Sequence, residues 1–246
     1  PGPADRLEDG VVAERGGGKA GGANRGREKL RDGRERSASS RRWLTRQLND
    51  PYVARARAGG YRSRAAFKLS EIDDAHRLLK PGLVVADLGA APGGWSQVAA
   101  ERVRAREGRG RVVAIDLQAI APIPGVEILE GDFLDDAVFA RVAEATGGRV
   151  DIVLSDLAPS ASGQPDIDHL RILTLAEAAL DFALRFLAPG GAFVAKMLQG
   201  SGERGFVEAQ RRHFDPVARA KPPSSRRESS EFFLVAKGRK AGSGGL

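Results

Sequence analysis

Residues 82–95 read "GLVVADLGAAPGGW", an apolar run that passes without a break into a turn holding three glycines and a proline. A short, fully apolar run of this kind suits a strand buried on both faces, which is the condition of a parallel sheet covered by helices. Further strand-like runs follow at "RVVAIDL", "VEILEGD", "VDIVLSD" and "AFVAKML". Helical patterns separate several of them: "WSQVAAERVRAR", Asp135 to Ala145, and "DHLRILTLAEAALDFALRFL", which the sequence predicts to stop at Pro189-Gly190-Gly191. Upstream, Ala66, Leu69, Ile72, His76 and Leu79 recur near helical spacing before Pro81-Gly82. A helix near 203–213 and the strands "DPVARAK" and "SEFFLVAKG" complete the reading. Alternation of strand and helix implies a parallel sheet with helical crossovers.

In such a sheet ligands bind beyond the carboxyl ends of the strands, and the first turn forms the floor of the site. The spacing here is Asp87-x-Gly89-x-x-x-Gly93, which is not the Gly-x-Gly-x-x-Gly of dinucleotide enzymes and argues against a dehydrogenase. Asp116 ends the next strand, where a carboxylate can accept both hydroxyls of an adenosine ribose. Asp132, in "EGDF", is placed to reach the adenine edge of the same ligand.

Composition narrows the chemistry. The 246 residues include no cysteine, which removes disulfides, thiolate nucleophiles and cysteine-ligated metals. His76, His169 and His213 are far apart and match no ligand spacing, so no metal is expected. No apolar run reaches membrane-spanning length and no signal sequence is evident, so the expectation is a soluble, cytoplasmic protein without a membrane partner. The formal charge is +7, yet residues 15–46 hold eleven Lys/Arg against Glu28, Asp32 and Glu35, so that segment alone contributes +8. It is rich in Gly, Ser and Arg and poor in apolar residues, which predicts a disordered basic arm over 1–42, ahead of a domain at 43–240 and a flexible tail at 241–246. The arm is suited to sequence-independent attraction to phosphates.

The stretches "DLGAAPGGW", "GDF", "SDLAPSASG", "AKMLQG" and "KPPSSRRESSEFFLVAKG", in that order, resemble the FtsJ/RrmJ-type ribosomal RNA 2′-O-methyltransferases (the RlmE family) over roughly Trp43 to Lys240. The resemblance implies an α/β class I S-adenosylmethionine-dependent methyltransferase fold, Rossmann-like, with a mostly parallel sheet, helices on both faces and a C-terminal antiparallel strand. It implies S-adenosyl-L-methionine as cofactor, with Gly93 and Trp95 at the methionine end, Asp116 at the ribose, Asp132 at the adenine and Asp156 near the transferable methyl. It also joins Lys68, Asp156, Lys196 and Glu231 into one catalytic set.

The residues themselves agree on a hydroxyl acceptor. Methylation at pyrimidine C5 uses a cysteine, which is absent, and the loop Asp156-Leu157-Ala158-Pro159 lacks the aromatic that stacks a base for amine methylation. Lys196 interrupts an apolar strand, where a lysine is costly unless it is paired or serves as a base. Glu231 opens the last strand, and Glu228 lies near enough to take its place. Arg55, Arg57, Arg62 and Arg64 around Tyr61, with Lys221, Arg226 and Arg227, are expected phosphate contacts at the mouth of the site. A 2′-hydroxyl marks RNA. The expected partner is therefore RNA, and by the resemblance a uridine of 23S ribosomal RNA in the large ribosomal subunit. Transfer RNA, messenger RNA caps, or a non-catalytic RNA-binding role in ribosome assembly are the alternatives.

The charge distribution predicts that removing residues 1–42 leaves cofactor affinity unchanged and weakens RNA binding. The plot of log affinity against log salt should become shallower. An unchanged slope in salt-titrated RNA binding would show that the arm makes no contact with RNA.

Overall fold

A computed structural model describes residues 48–159 and 164–242. The expected basic arm and the last four residues of the tail lie outside the described residues. The chain divides between Ala54 and Arg55. Before that point, Asp50 accepts the Tyr52 N–H at 3.0 Å and caps helix α1 (Pro51–Ala58).

The part that follows is built on one sheet. Its strands are β1 (Val84–Leu88), β2 (Arg111–Asp116), β3 (Val126–Glu130), β4 (Val150–Ser155), β5 (Leu187–Leu198), β6 (Val217–Ala220) and β7 (Glu231–Ala236). Their order is β3-β2-β1-β4-β5-β7-β6. The first five are parallel, and β7 runs antiparallel between β5 and β6. The helices are α2 (Ala65–His76), α3 (Gly94–Val103), α4 (Asp136–Thr146), α5 (Pro165–Phe186) and α6 (Glu203–Ala209).

Alternation along each strand sorts two cores. Phe193, Ala195 and Met197 of β5 face α4, α5 and α6 together with Leu88, Val153 and Phe232. Ala192 and Val194 face α2 and α3, where Leu69, Ile72, Trp95, Val98, Phe233 and Val235 pack. Lys196 is in phase with Ala192 and Val194, so period-two geometry sends its side chain to the α2/α3 face. The order reverses at β1, which lies between β2 and β4. This opens the crevice at their carboxyl ends where sheets of this kind bind ligands.

Three element ends differ from the sequence reading. Helix α2 stops at His76 rather than carrying on to Leu79: the buried Asp73 carboxylate accepts the N–H groups of Leu78 and Leu79 at 2.8 and 2.7 Å, and Arg77 turns left-handed at φ 55°. Leu79 is buried all the same, so its burial mimicked one more helical turn. Helix α5 ends at Phe186, and Pro189-Gly190-Gly191 lies inside β5. There the register passes from Val150↔Leu187 to Ile152↔Ala192, and the bulge pairs with Arg239 through Gly190 N–H to Arg239 O at 2.8 Å and Arg239 N–H to Gly191 O at 3.0 Å. Helix α6 closes at Ala209 and tightens into a 3₁₀ turn over Gln210–Arg212. No helix among the described residues is long and apolar enough to cross a membrane.

Candidate active site

The turn after β1 is wedged between two neighbours. Gly89, at φ 71°, would place a Cβ 2.6 Å from Leu157 Cδ2, and Gly93, at φ 109°, would place one 2.5 Å from Ile123 Cδ1. Only glycine fits the conformation and the space at both positions. Gly93 also starts α3, whose first turn has no side-chain cap. The side chain of Trp95, one residue into that helix, turns away from the crevice. It is 2% exposed, donates its indole N–H to Ala65 O at 2.9 Å and packs on Phe233 with ring centroids 5.6 Å apart.

Two of the expected aspartates flank the same crevice. Asp116 accepts the N–H of Ala91, in the turn, and that of Gln118, both at 2.8 Å. Each of its oxygens keeps capacity for a second bond. Asp132 is exposed and accepts the Leu134 N–H at 2.9 Å. Leu117 and Leu134, one and two residues beyond these aspartates, are 71% and 62% exposed. The sequence reading passed over them, although a leucine within two residues of an aspartate at or just beyond a strand end is the signal that could have found them.

Asp87, at the end of β1, is fully buried. Its Oδ2 accepts the Ser96 hydroxyl at 2.6 Å, while Oδ1 has no hydrogen-bond partner among the described residues. Burial pushes its carboxyl up to about 7; the Ser96 hydrogen bonds pull it down, and the charges of Asp156 and Asp116 push it up further. Asp87 therefore senses the carboxylates of Asp116 and Asp156 beyond the neighbouring strands β2 and β4.

The four residues of the expected set form two ion pairs. Lys196, 9% exposed, donates to the Asp156 carbonyl at 2.7 Å and lies 3.1 Å from Asp156 Oδ1. Lys68, on α2, donates to Glu231 Oε2 at 2.7 Å with both side chains largely buried. Its Nζ also sits 5.6 Å from the centroid of the Phe233 ring. The register Lys196↔Phe233 and Leu198↔Glu231 puts Lys196 and Glu231 on one face of the sheet, diagonal to each other. Burial raises the Glu231 carboxyl, but the Lys68 charge and hydrogen bond, the Ser225 hydroxyl and the Lys196 charge together outweigh it and hold it below its ordinary value. The two pairs are thus one electrostatic unit. Glu228, the other candidate, is exposed.

The expected phosphate contacts divide. Arg62 donates to the carbonyls of Pro92 at 3.1 Å, Ala121 at 2.6 Å and Pro122 at 2.7 Å. It ties the glycine turn to the β2–β3 connection and is committed to the protein. Arg64 donates to Ser224 O, and the Arg55 guanidinium lies 4.6 Å from the centroid of the Phe67 ring. Arg57, Lys221 and Arg227 are exposed, with Lys221 donating to Ser229 O at 2.7 Å. Among the described residues no group of three or more His, Asp or Glu is placed to hold a metal ion.

A mostly parallel sheet with this strand order, an antiparallel β7, a glycine turn after β1 and acidic residues at successive strand ends define a class I methyltransferase fold. A model of the family described as FtsJ-like methyltransferase matches residues 61–239. Two curated relatives bear the name ribosomal RNA large subunit methyltransferase E. That of Granulibacter bethesdensis is 54% identical over 209 residues, covering 85% of this chain and 89% of its own. That of Paramagnetospirillum magneticum is 51% identical over 225 residues, covering 91% and 92%. A crystal structure described as a ribosomal RNA methyltransferase of Plasmodium falciparum superposes with a TM-score of 0.65 at 31% identity, over 73% of this chain and 98% of that one. The chain belongs to the FtsJ-like methyltransferase family, and it is an enzyme that transfers a methyl group from a donor.

The burial of Asp87 sets a pH dependence. A carboxyl raised from 3.8 to about 7 in the folded state holds its proton more tightly there than in the unfolded chain. Its contribution is fully present below about 3.8 and is lost as pH rises through 7. Asp87→Asn keeps an acceptor for Ser96 and cannot ionise. It should match the wild type at pH 4 and exceed it at pH 8 by up to about 4 kcal/mol. Urea unfolding of both proteins across that range measures the difference, and parallel curves would contradict it.

Proposed function

We propose that this enzyme is an S-adenosylmethionine-dependent methyltransferase acting on the 2′-hydroxyl of a ribose in RNA, at a uridine of 23S ribosomal RNA in the large ribosomal subunit. The observation that carries the reading is the meeting of Lys196–Asp156 with Lys68–Glu231 at the carboxyl ends of β4 and β5 and the amino end of the antiparallel β7. The names of the relatives, which specify large-subunit ribosomal RNA, support the substrate.

The crevice fits the donor in shape and charge. The bare glycine turn admits close backbone approach, and Asp116 has lone pairs to spare for two ribose hydroxyls. Asp132 would hold the adenine edge, with the exposed Leu117 and Leu134 as apolar walls. Gly93 and Trp95 would serve the methionine end through the backbone at the uncapped start of α3, because the indole itself is buried. The carboxylates of Asp87, Asp116 and Asp156 favour a cationic ligand. When bound, S-adenosylmethionine supplies a methyl group already activated by its sulfonium.

What remains for the protein is to align the acceptor oxygen and to take its proton. Lys196, in its neutral amine form after giving up its own proton to solvent, is the group proposed to receive the proton, and Asp156 Oδ1, 3.1 Å away, would hold the ammonium so restored and fix its direction. Lys68, held by Glu231, keeps a second positive charge beside the site, where it can stabilise the oxygen as negative charge develops on it. Arg57, Lys221 and Arg227 remain available for phosphates, and the basic segment ahead of the fold would add attraction at longer range. In this reading 43–240 is the catalytic domain, 1–42 is an RNA-attracting arm and 241–246 is a tail. A ribosomal substrate implies the cytoplasm.

Incubation with radiolabelled donor and large ribosomal subunits, followed by digestion to nucleosides, should yield labelled 2′-O-methyluridine. Label on a base, or on no nucleoside, would contradict the reading. Lys196→Ala should lose about 10² to 10⁴ in single-turnover rate with donor affinity unchanged. Lys196→Arg should not restore it, since a guanidinium does not give up its proton; a rate within about tenfold of wild type in Lys196→Ala would remove the general-base role.

Asp116→Ala and Asp132→Ala should each weaken donor binding by about 1.5 to 3 kcal/mol through lost charge-assisted hydrogen bonds. Calorimetric titration measures this, and unchanged affinity in both would place the donor elsewhere.

A further inference from the structure

The connection between β6 and β7, residues 221–230, has two sides of opposite character. Lys221, Arg227 and Glu228 are exposed, whereas Ser224 is 1% and Ser225 7% exposed. Buried polar side chains usually find hydrogen bonds; of these two, the Ser225 hydroxyl bonds into the ion-pair cluster, whereas the Ser224 hydroxyl has no partner among the described residues and its backbone is held instead. The Ser224 N–H donates to Glu71 Oε2 at 2.7 Å, and Ser224 O accepts from Arg64, so α2 and the residue before it grip the loop through its backbone at one position. One residue on, the Ser225 hydroxyl donates to Glu231 Oε1 at 2.9 Å. The other oxygen of the same carboxylate, Oε2, takes Lys68 at 2.7 Å.

We propose that Ser225 is a positioning residue for methyl transfer: its hydroxyl fixes the Glu231 carboxylate, and through it Lys68, in place beside Lys196. The proposal rests on the function argued above. A carboxylate held at one oxygen can swing about its own axis, whereas one held at both has a single orientation, and Lys68 inherits that orientation. The charged groups around Glu231 are Lys68 from α2 and Lys196 from β5, with Asp156 behind Lys196; Arg64 and Glu71 face the loop backbone rather than the carboxylate. Ser225 is therefore the uncharged member of the set, and the one supplied by the loop that carries the exposed Lys221 and Arg227.

The test compares wild type, Ser225→Ala and Ser225→Thr in single-turnover methylation of large ribosomal subunits across pH, with calorimetry of S-adenosylmethionine and thermal unfolding alongside. Ser225→Ala should lower the rate about 10- to 100-fold, the equivalent of one hydrogen bond to a charged group, with donor affinity unchanged and thermal unfolding showing a still fully folded protein at the assay temperature. The acid side of its rate profile should move to higher pH, because Glu231 loses a bond that favours its ionised form. Ser225→Thr keeps the hydroxyl and should restore both the rate and the profile. A Ser225→Ala rate within about twofold of wild type and an unmoved acid limb would overturn the proposal, as two-fold is well below one such bond. So would a loss in Ser225→Thr as large as in Ser225→Ala, or a parallel loss of donor affinity, either of which would mark a purely structural residue. If the wild type itself methylates no RNA, the function fails and the proposal with it; if the wild type is active and Ser225→Ala equals it, only the positioning role fails.

Discussion

Lysine 196 stands in a central strand, 9% exposed, and the rest of the site is arranged around keeping its side chain in polar company. An amine removed from water needs a carboxylate and further hydrogen bonds if the strand is to tolerate it. Asp156 provides both, through its carbonyl and its carboxylate, only because β4 lies next to β5 in the register Ser155↔Ala195 and the chain leaves β4 at the following residue. Glu231 shares the cluster only because β7 returns antiparallel, with Leu198 opposite it. Lys68 reaches Glu231 only because α2 covers that face of the sheet. The antiparallel strand at an otherwise parallel edge is thus more than a way of finishing the sheet. It brings a carboxylate to the carboxyl end of β5 from the opposite chain direction.

The opposite half of the crevice is organised by crowding of like charge. Burial, and after it the charges of Asp156 and Asp116, raise the cost of ionising Asp87. A protein selected for stability alone would place an amide or an apolar residue there. Keeping a carboxyl at Asp87 gives up stability at neutral pH, a trade common where stability and function compete. The cost is limited by rigid support. Arg62 joins three carbonyls across the turn and the β2–β3 connection, and Ser96 holds one oxygen of Asp87.

What the sequence made legible and what it hid follow from the range of the interactions involved. The strands were readable because burial on both faces leaves unbroken apolar runs, and Lys196 because it breaks one. The positions of Asp116, at the end of β2, and of Asp132, two residues beyond β3, were readable because strand ends are local features. The roles of Arg62 and Arg64 were not. Their partners, Ala121, Pro122 and Ser224, are between 59 and 160 residues away, and composition shows that a charge exists without showing which carbonyl takes it. The sequence placed Trp95 directly after the glycine turn without showing where its indole goes, since the helix that begins there packs the ring against α2 and Phe233. Pro189-Gly190-Gly191 carries the signature of a helix stop, and a bulge paired to Arg239 uses the same residues for the same conformational reasons.

The two charge patterns divide the work of recognition. In the proposed function a floor of carboxylates would repel phosphates, so an RNA backbone would gain nothing by entering the crevice, whereas the exposed Arg57, Lys221 and Arg227 would attract it. The acceptor would therefore be held by its phosphates at the outside and offer only an uncharged hydroxyl inward. Lys196 and Lys68 lie at the boundary between the two regions, each neutralised by its own carboxylate. A pair that is neutral overall neither draws phosphate inward nor displaces a cationic donor, yet it can respond to the charge that develops on a hydroxyl as its proton leaves. For that response the cluster must be closely fixed rather than strongly charged, which accounts for the density of hydrogen bonds from α2 and the β6–β7 loop around Glu231.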